Sequence, residues 1–332
     1  MGLLTRKRDQ AQDSEATRTL SVYYASDVHG SDRCWRKFLG AARFYGVDAL
    51  VMGGDLTGKA IVPIERLADG SFTTTFIGEI RSGRSEEELE QLLDAIRFNG
   101  MYPWIASPEE VARHREDGAA RGELFEGVML DALRQWIAFA DERMAAHGIE
   151  VFVMPGNDDP WSCDAVIEEA THVKACDGRI VRVGPHEMLS CAYANPTPWN
   201  TPRELDEDAL YTLLRGLADQ LEDPATAILN LHVPPYDSGL DTANEMNPDL
   251  TLRYVGGQPN PIPVGSTAVR QLIEEVQPAL ALHGHIHESK GEVRIGRTLA
   301  INPGSEYNSG HIHGVVVTLA GPEVLKHQLV VG

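Results

Sequence analysis

The sequence predicts an α/β protein in which helices cover a mostly parallel sheet. Short runs of β-branched and other apolar residues alternate with segments whose apolar residues recur every three or four positions. Several of the short runs end directly in Asp, Asn or His, which places polar side chains where buried strands give way to loops. The chain has 332 residues, of which 42% are hydrophobic, and this is enough for the buried core that such a fold requires.

The first part of the chain predicts two buried strands joined by a helix with one apolar face. Polar residues follow each strand directly: Asp27 and His29 come after the first, and Asp55 comes after the second. Residues two apart in extended chain point to the same side, so Asp27 and His29 can present their side chains together. The predicted elements are Leu20 to Ala25, Arg33 to Tyr45 and Ala49 to Met52.

Residues 58–148 predict a largely helical insertion. Ser85 and Ser107 are each followed three residues later by Glu, which is the capping-box pattern at the start of a helix. A third helix is predicted from Glu123 to His147, because its apolar residues trace one face. We expect this face to pack in a core rather than to bind a cofactor or a partner helix.

The strand pattern returns after the insertion and continues to the end of the chain. Thr201 is predicted to cap a helix that reaches about Gln220, and a further helix is predicted from Ser266 to Val276. The stretch from Asp237 to Pro263 is rich in Gly, Pro, Asn and Asp, which predicts a long surface loop. The predicted strands are Glu150 to Met154, Ile180 to Val183, Met188 to Ala192, Ala227 to Leu231, Ala279 to Leu282, Thr298 to Ile301, His313 to Leu319 and Val324 to Val331.

Charge and cysteine content narrow the class of protein. The formal net charge of -20 argues against binding to nucleic acid or to an anionic membrane, since both depend on basic patches. A small anionic substrate is compatible with this charge where the site holds its own cations. The four cysteines form no C-x-x-C pair, and residues 1–18 carry no apolar segment of a secretory signal. We therefore expect a cytoplasmic protein with a flexible arm at residues 1–18 and one domain at residues 19–332.

Polar side chains suited to metal binding follow five of the predicted strands. The carboxyl ends of neighbouring parallel strands meet at one edge of a sheet, so these side chains can converge although they span most of the chain. Taken singly, a histidine after an apolar run is more often a hydrogen-bonded structural residue than a ligand. As a set, they offer imidazole, carboxylate and amide groups without thiolate. The residues are Asp27, His29, Asp55, Asn157, His232, His285 and His287.

In this order, the residues resemble the motifs of the calcineurin-like metallophosphoesterase superfamily. The resemblance covers residues 20–319 apart from the insertion, and it implies a four-layer α/β/β/α sandwich. The turn from Asn302 to Ser305 is also similar to one found in the smaller bacterial members. The family pattern of D-x-H, G-D, G-N-H-[DE], H and G-H-x-H appears here as Asp27-Val28-His29, Gly54-Asp55, Gly156-Asn157-Asp158-Asp159, His232 and Gly284-His285-Ile286-His287.

The resemblance further implies two metal ions that share Asp55 and hydrolyse a phosphate ester by attack of a hydroxide held between them. The ligand types favour Mn, Fe, Zn, Co or Ni, as divalent or mixed-valence ions. A small phosphodiester is the favoured substrate, by analogy with the bacterial members. The alternatives are hydrolysis of a phosphomonoester or nucleotide anhydride at the same site, and a scaffold of this fold without catalysis. The implied ligands are Asp27, His29, Asp55 and His287 for one ion, and Asp55, Asn157, His232 and His285 for the other.

Asp158 departs from the family pattern, which usually has a histidine at this position. Asn157 and Asp158 are the candidate catalytic residues of the motif, but an ionised aspartate, with an ordinary pKa of about 3.9, would repel a phosphate. Three interpretations are open. Asp158 is an unusual general acid, or it orients a metal ligand, or the substrate has a leaving group that needs no proton. We favour the last two interpretations. His283 could replace the missing imidazole, although its position inside a strand favours a structural role.

Overall fold

The computed structural model describes residues 19–332, in which two six-stranded sheets lie face to face. The arm that the sequence predicts at residues 1–18 lies outside the described residues. The helices are α1 (Asp32–Tyr45), α2 (Glu86–Phe98), α3 (Pro108–Glu116), α4 (Gly118–Ala145), α5 (Ser162–Glu168), α6 (Glu207–Ala218) and α7 (Thr267–Val276). The strands are β1 (Leu20–Ala25), β2 (Ala49–Met52), β3 (Ile61–Arg66), β4 (Phe72–Phe76), β5 (Glu79–Gly83), β6 (Tyr102–Ala106), β7 (Glu150–Val153), β8 (Val173–Ala175), β9 (Arg179–Val183), β10 (His186–Cys191), β11 (Ile228–Leu231), β12 (Thr242–Asn244), β13 (Tyr254–Val255), β14 (Gln258–Pro259), β15 (Pro261–Pro263), β16 (Leu280–Leu282), β17 (Gly291–Ile295), β18 (Thr298–Asn302), β19 (His313–Ala320) and β20 (Glu323–Val331).

Each large sheet has a parallel centre; the second has antiparallel strands at both edges, and the first has them only at the β19–β20 edge. The first has the strand order β20-β19-β1-β2-β7-β8, and the second has the order β17-β18-β16-β11-β10-β9. Apolar side chains of both sheets, among them Tyr24, Phe152 and Leu282, form a buried layer between them. Helices α1, α4 and α5 cover the outer face of the first sheet, and α6 and α7 cover that of the second. The predicted four-layer α/β/β/α sandwich is therefore confirmed.

The insertion contains a sheet that the sequence analysis did not predict. Residues 61–106 include a four-stranded sheet of order β5-β4-β3-β6, and α2 packs against it through Leu93 and Ile96. Three helices make up most of residues 58–148, as expected of a largely helical insertion, but the sheet in its first half was not expected. The sequence did carry a signal for it, because Phe72-Thr73-Thr74-Thr75-Phe76 consists of the aromatic and β-branched residues that favour strands.

Two helices of the insertion begin where the sequence predicts, whereas the third begins at Gly118 rather than at Glu123, because Asp117 caps it. Both capping boxes form, at Ser85 before α2 and at Ser107 before α3. The apolar face of α4 packs in the core, where Trp136 stacks on Trp35 of α1 with ring centroids 5.3 Å apart. Within residues 19–332, no helix combines the length and the apolar character that a membrane span requires.

Two predictions for the second half of the chain are wrong in detail. The helix predicted from Thr201 begins only at Glu207, because Glu204 accepts hydrogen bonds from Thr197 and Thr201 and closes a loop instead. Asp206 caps the helix by accepting from the backbone amide of Ala209. The segment from Asp237 to Pro263 is not structureless, since β12 pairs with β15 and β13 pairs with β14.

Candidate metal centre

The candidate site lies where the loops after β1, β2, β7, β11 and β16 meet. Backbone hydrogen bonds join these loops: the amides of Asp27 and His29 donate to the carbonyl oxygens of Gly54 and Asp55, each at 2.9 Å. Across the two sheets, the amide of His285 donates to the Asp27 carboxylate at 3.0 Å. Six of the seven ligand-type residues predicted from the sequence therefore converge on one place, and the seventh, Asn157, precedes Asp158, whose amide donates to Asp55 Oδ1.

The first group of ligand-type side chains is Asp27, His29 and His287. The Nε2 atoms of His29 and His287 are 3.1 Å apart, and His287 Nε2 is 3.4 Å from Asp27 Oδ1. Asp55 approaches this group with Oδ2, which is 3.5 Å from His29 Nε2. These nitrogen and oxygen atoms can all face a single cation.

The second group is Asp55, His232 and His285. The other oxygen of Asp55, Oδ1, is 3.5 Å from His232 Nε2. Asp55 therefore presents one carboxylate oxygen to each group, as a bridging ligand would. With Asp55 added, the first group equals the first ligand set that the resemblance implies, and the second group equals the second set without Asn157.

Buried polar atoms without partners test whether these residues fit metal ions. Among the described residues, Asn157 Oδ1 and His232 Nε2 have no hydrogen-bond partner. Their other polar atoms are fixed: Asn157 Nδ2 donates to Thr201 Oγ1 at 2.7 Å, and His232 Nδ1 donates to the Gly53 carbonyl oxygen at 2.8 Å. Such partners orient a ligand and leave its free lone pair for the metal. These two residues therefore fit a metal cation.

The two buried carboxylates make the site attractive to positive charge. Burial alone would raise the pKa of Asp27, but the hydrogen bond and charge of His287, with the charge of His232, outweigh it and lower the pKa to about 2. Burial would lower the pKa of His232, but the facing Asp55 carboxylate raises it to about 9, and a cation that binds Nε2 would displace this proton. His285 behaves differently, because burial lowers its pKa to about 4 and leaves a neutral ring suited to a metal ligand.

Backbone conformation at the site is unusual for residues other than glycine. Asp27, His29, Asp55 and His285 have φ values of 58°, 38°, 51° and 65°. Holding a non-glycine residue at such a positive φ costs about 1–3 kcal/mol of folding free energy. Residues held in this way cluster at functional sites. The loops also approach each other closely, since a Cβ atom on Gly156 would lie 2.1 Å from Asp55 Oδ1.

Asp159 holds two loops of the site together, a role that was not predicted from the sequence. It is fully buried and accepts hydrogen bonds from the backbone amides of Leu56, Thr57 and Gly156 at 2.8–2.9 Å. These bonds tie the loop that carries Asp55 to the loop that carries Asn157. The acidic position that ends the third motif of the family pattern is the signal that could have indicated this role.

Asp158 is held by two contacts at the edge of the site. Its backbone amide donates to Asp55 Oδ1 at 3.2 Å, and its carboxylate forms an ion pair with Lys59. A carboxylate oxygen of Asp158 also lies within 4.8 Å of ligand atoms of His29 and Asp55. Lys59 was not predicted, because nothing in the spacing of the motifs links it to a residue 99 positions later.

Two further side chains border the metal groups. His283 is fully buried, and its Nδ1 lies 2.9 Å from the Leu231 carbonyl oxygen and 3.1 Å from that of Val233, so it supports the loop around His232. Tyr307 packs its ring on His29, with centroids 4.7 Å apart. No motif in the sequence indicated a role for Tyr307.

Comparison of the sequence with known proteins gives a partial match. No protein-family model matches the chain. An uncharacterized protein of Methanocaldococcus jannaschii is 30% identical over 158 residues, which are 47% of this chain and 64% of that relative. The chain thus matches less than two thirds of the relative's length.

Solved structures align with almost the whole chain. One crystal structure covers 95% of this chain and 99% of its own, with a TM-score of 0.52 and 14% identity. A likeness at this identity shows a shared fold. The chain therefore shares the fold of that structure, a four-layer α/β/β/α sandwich. Within this fold, the motif residues stand at the strand ends where the sequence predicts them. A protein of Thermus thermophilus aligns over 91% of this chain and 99% of its own, with a TM-score of 0.47 and 13% identity.

Proposed function

We propose that the chain is a metal-dependent phosphoesterase that hydrolyses phosphodiesters. The observation that carries the proposal is the position of Asp55, which offers one carboxylate oxygen to each of two groups of buried ligand-type side chains. A bridging carboxylate of this kind sets two cations about 3.5–4 Å apart, the arrangement that hydrolyses phosphate esters in two-metal sites.

Each residue has a defined part in this proposal. Asp27, His29 and His287 hold one cation, His232, His285 and Asn157 hold the other, and Asp55 holds both. When bound, the cations supply Lewis acidity toward the phosphoryl oxygens and toward the attacking water. The protein keeps the ligands in place: the His285 amide orients Asp27, the Gly53 carbonyl orients His232, and Thr201 orients Asn157.

The donor set and the surroundings limit the cations and the substrate. Imidazole, carboxylate and amide ligands suit Mn, Fe, Zn, Co or Ni. A small phosphate ester is the proposed substrate, because the cations offset the net charge of -20 at the one place where a phosphate must bind. The cytoplasmic location stays a prediction from the sequence.

Hydrolysis of bis(p-nitrophenyl) phosphate by the full chain loaded with Mn²⁺ tests the proposal. We expect activity in the wild type and none above background in Asp55→Ala, because this variant loses a ligand of both cations. Asp131→Ala is the matched control, since Asp131 is an exposed residue of α4 paired with Arg134. Full activity in Asp55→Ala would contradict the two-metal arrangement.

Two further measurements separate the remaining functions. If p-nitrophenyl phosphate is hydrolysed faster than the diester, the preferred substrate is a phosphomonoester. If a nucleoside diphosphate is hydrolysed faster, it is a nucleotide anhydride. Metal analysis after reconstitution distinguishes an enzyme from a scaffold, because a chain that retains no transition metal cannot carry out the proposed reaction.

A further inference from the structure

Lys59 stands beside the candidate metal centre at the first turn of the insertion. It follows Asp55 by four residues, and the backbone amide of the preceding Gly58 donates to the Tyr102 hydroxyl at 2.8 Å. This bond fixes the chain where it leaves the sandwich and enters the small sheet. The Lys59 backbone is therefore anchored, and the position of its side chain depends on what the ammonium contacts.

The ammonium of Lys59 contacts the carboxylate of Asp158. Both side chains are partly accessible, with 43% of Lys59 and 32% of Asp158 exposed, so a substrate can reach them. Asp158 also has an oxygen within 4.8 Å of ligand atoms of His29 and Asp55. The Lys59 ammonium is thus held at the rim of the metal groups, on the side of Asp158.

The ion pair of Asp158 with Lys59 carries no net charge, unlike an Asp158 carboxylate on its own. An isolated carboxylate would repel a phosphate, but the pair with Lys59 is neutral and keeps donors available. An ammonium has three N–H donors, of which the Asp158 carboxylate needs one or two. At least one donor remains for another acceptor near the metals.

We propose that Lys59 is a phosphate-binding residue of this site and that Asp158 is the positioning residue that holds its ammonium beside the metals. The inference rests on the proposed phosphoesterase function. It assigns the Asp158–Lys59 pair to the place where the family pattern has a histidine. Lys59 donates to the non-bridging oxygens of the substrate phosphate, whereas the leaving group departs without a proton from this residue.

Binding of inorganic phosphate to the Mn²⁺-loaded full chain, measured by calorimetry, tests Lys59 directly. We expect Lys59→Gln to weaken phosphate binding roughly tenfold to a hundredfold, as the loss of a hydrogen bond between charged groups does. Lys59→Arg keeps the charge and should retain most of the affinity. Lys174→Gln is the matched control, because Lys174 is a similarly exposed lysine paired with Glu150 at the edge of the first sheet.

The metal content of each variant separates phosphate binding from support of the metal site. Lys59→Gln should retain the same number of Mn²⁺ ions per chain as the wild type. Unchanged phosphate affinity in Lys59→Gln would overturn the inference, and so would loss of metal, which would make Lys59 a structural residue. Absence of phosphate binding by the metal-loaded wild type would also overturn it.

A leaving-group series distinguishes phosphate binding from proton donation. With aryl phosphodiesters whose leaving phenols differ in pKa, Lys59→Gln should lower kcat/KM by a similar factor throughout. A loss that grows with the pKa of the leaving phenol would assign proton donation to Lys59 and contradict the proposed role. A wild type that is active, with an inactive Asp55→Ala and an unaltered Lys59→Gln, would leave the phosphoesterase function standing and remove only this inference.

A double-mutant cycle tests the positioning role of Asp158. The change in kcat/KM caused by Asp158→Asn in the wild type should be lost in the Lys59→Gln background, because Asp158 acts through Lys59. Independent, additive effects would contradict this. Loss of metal in Asp158→Asn would instead identify Asp158 as a further metal ligand.

Discussion

At the scale of single residues, Asn157 shows how the fold prepares a ligand. Its amide nitrogen is held by the Thr201 hydroxyl, and its oxygen is buried without a partner among the described residues. An unpaired buried oxygen is costly unless something binds it, so its orientation points to a cation. In the proposed site, Thr201 therefore orients a ligand of the second metal.

We predict that Thr201→Val weakens metal binding without unfolding the chain. Loss of the hydroxyl frees the Asn157 amide to rotate, and loss of such an orienting partner typically costs about 10- to 100-fold in metal affinity. Titration with Mn²⁺ measures the change. Thr212→Val is the control, because its hydroxyl contacts only the Asp208 carbonyl within α6. Equal affinities in the wild type and Thr201→Val would contradict the assigned role.

Gly156 gives a second test at this scale. A Cβ atom there would overlap Asp55 Oδ1, so Gly156→Ala must displace the bridging carboxylate or the loop that carries it. We expect Mn²⁺ affinity to fall at least about tenfold and the free energy of unfolding to fall by about 1–3 kcal/mol, as overpacking does. Both are measurable by metal titration and urea unfolding.

Gly127→Ala is the matched control for this variant. Gly127 lies in α4 with nothing within 4 Å of an added Cβ, so the substitution should leave metal binding unchanged and hold or raise stability. A Gly156→Ala variant that binds Mn²⁺ as the wild type does would show that Asp55 does not need its present position.

At the scale of elements, local signals predicted helices better than they predicted the insertion's sheet. The Ser85 and Ser107 capping boxes are complete within four residues, so the sequence alone located the starts of α2 and α3. In the sheet at residues 61–106, β3, β4 and β5 pair with their neighbours in the chain, and only the pairing of β3 with β6 joins distant segments. The helix predicted from Thr201 failed because Glu204 accepts a hydrogen bond from Thr197 in a loop.

Asp141 at the end of α4 links this helix to the loop before β8. Its carboxylate accepts hydrogen bonds from the backbone amides of Thr171, His172 and Val173 at 2.7–2.9 Å. We predict that Asp141→Ala lowers the free energy of unfolding by about 1–2 kcal/mol at pH 7, as loss of a capping carboxylate does. Glu142→Ala, at an exposed neighbouring position, should change stability little.

The effect of Asp141→Ala should depend on pH in a definite direction. Burial would raise the pKa of Asp141, but the hydrogen bonds from Val173 and Thr171 outweigh it and lower the pKa below its ordinary value. The carboxylate therefore contributes its full stability above the unfolded pKa of about 3.9 and loses it as the pH falls through the lower folded pKa. Urea unfolding of both proteins should give a difference that shrinks below about pH 4. A constant difference would contradict this.

At the scale of the whole molecule, the sandwich explains why ligands from opposite ends of the chain meet. The amide of His285 bonds to the carboxylate of Asp27 across 258 positions, because the carboxyl ends of β1 and β16 face the same opening between the sheets. The order of motifs made this convergence predictable from the sequence. The partnership of Asp158 with Lys59 was not predictable, since it depends on the path of the insertion away from the sandwich.

Anomalous X-ray scattering from crystals soaked in Mn²⁺ tests the central claim most directly. The account predicts two anomalous peaks about 3.5–4 Å apart with the Asp55 carboxylate between them. One peak should lie among Asp27, His29 and His287, and the other among Asn157, His232 and His285. A single peak, or peaks placed away from Asp55, would contradict the two-metal site on which the proposed function depends.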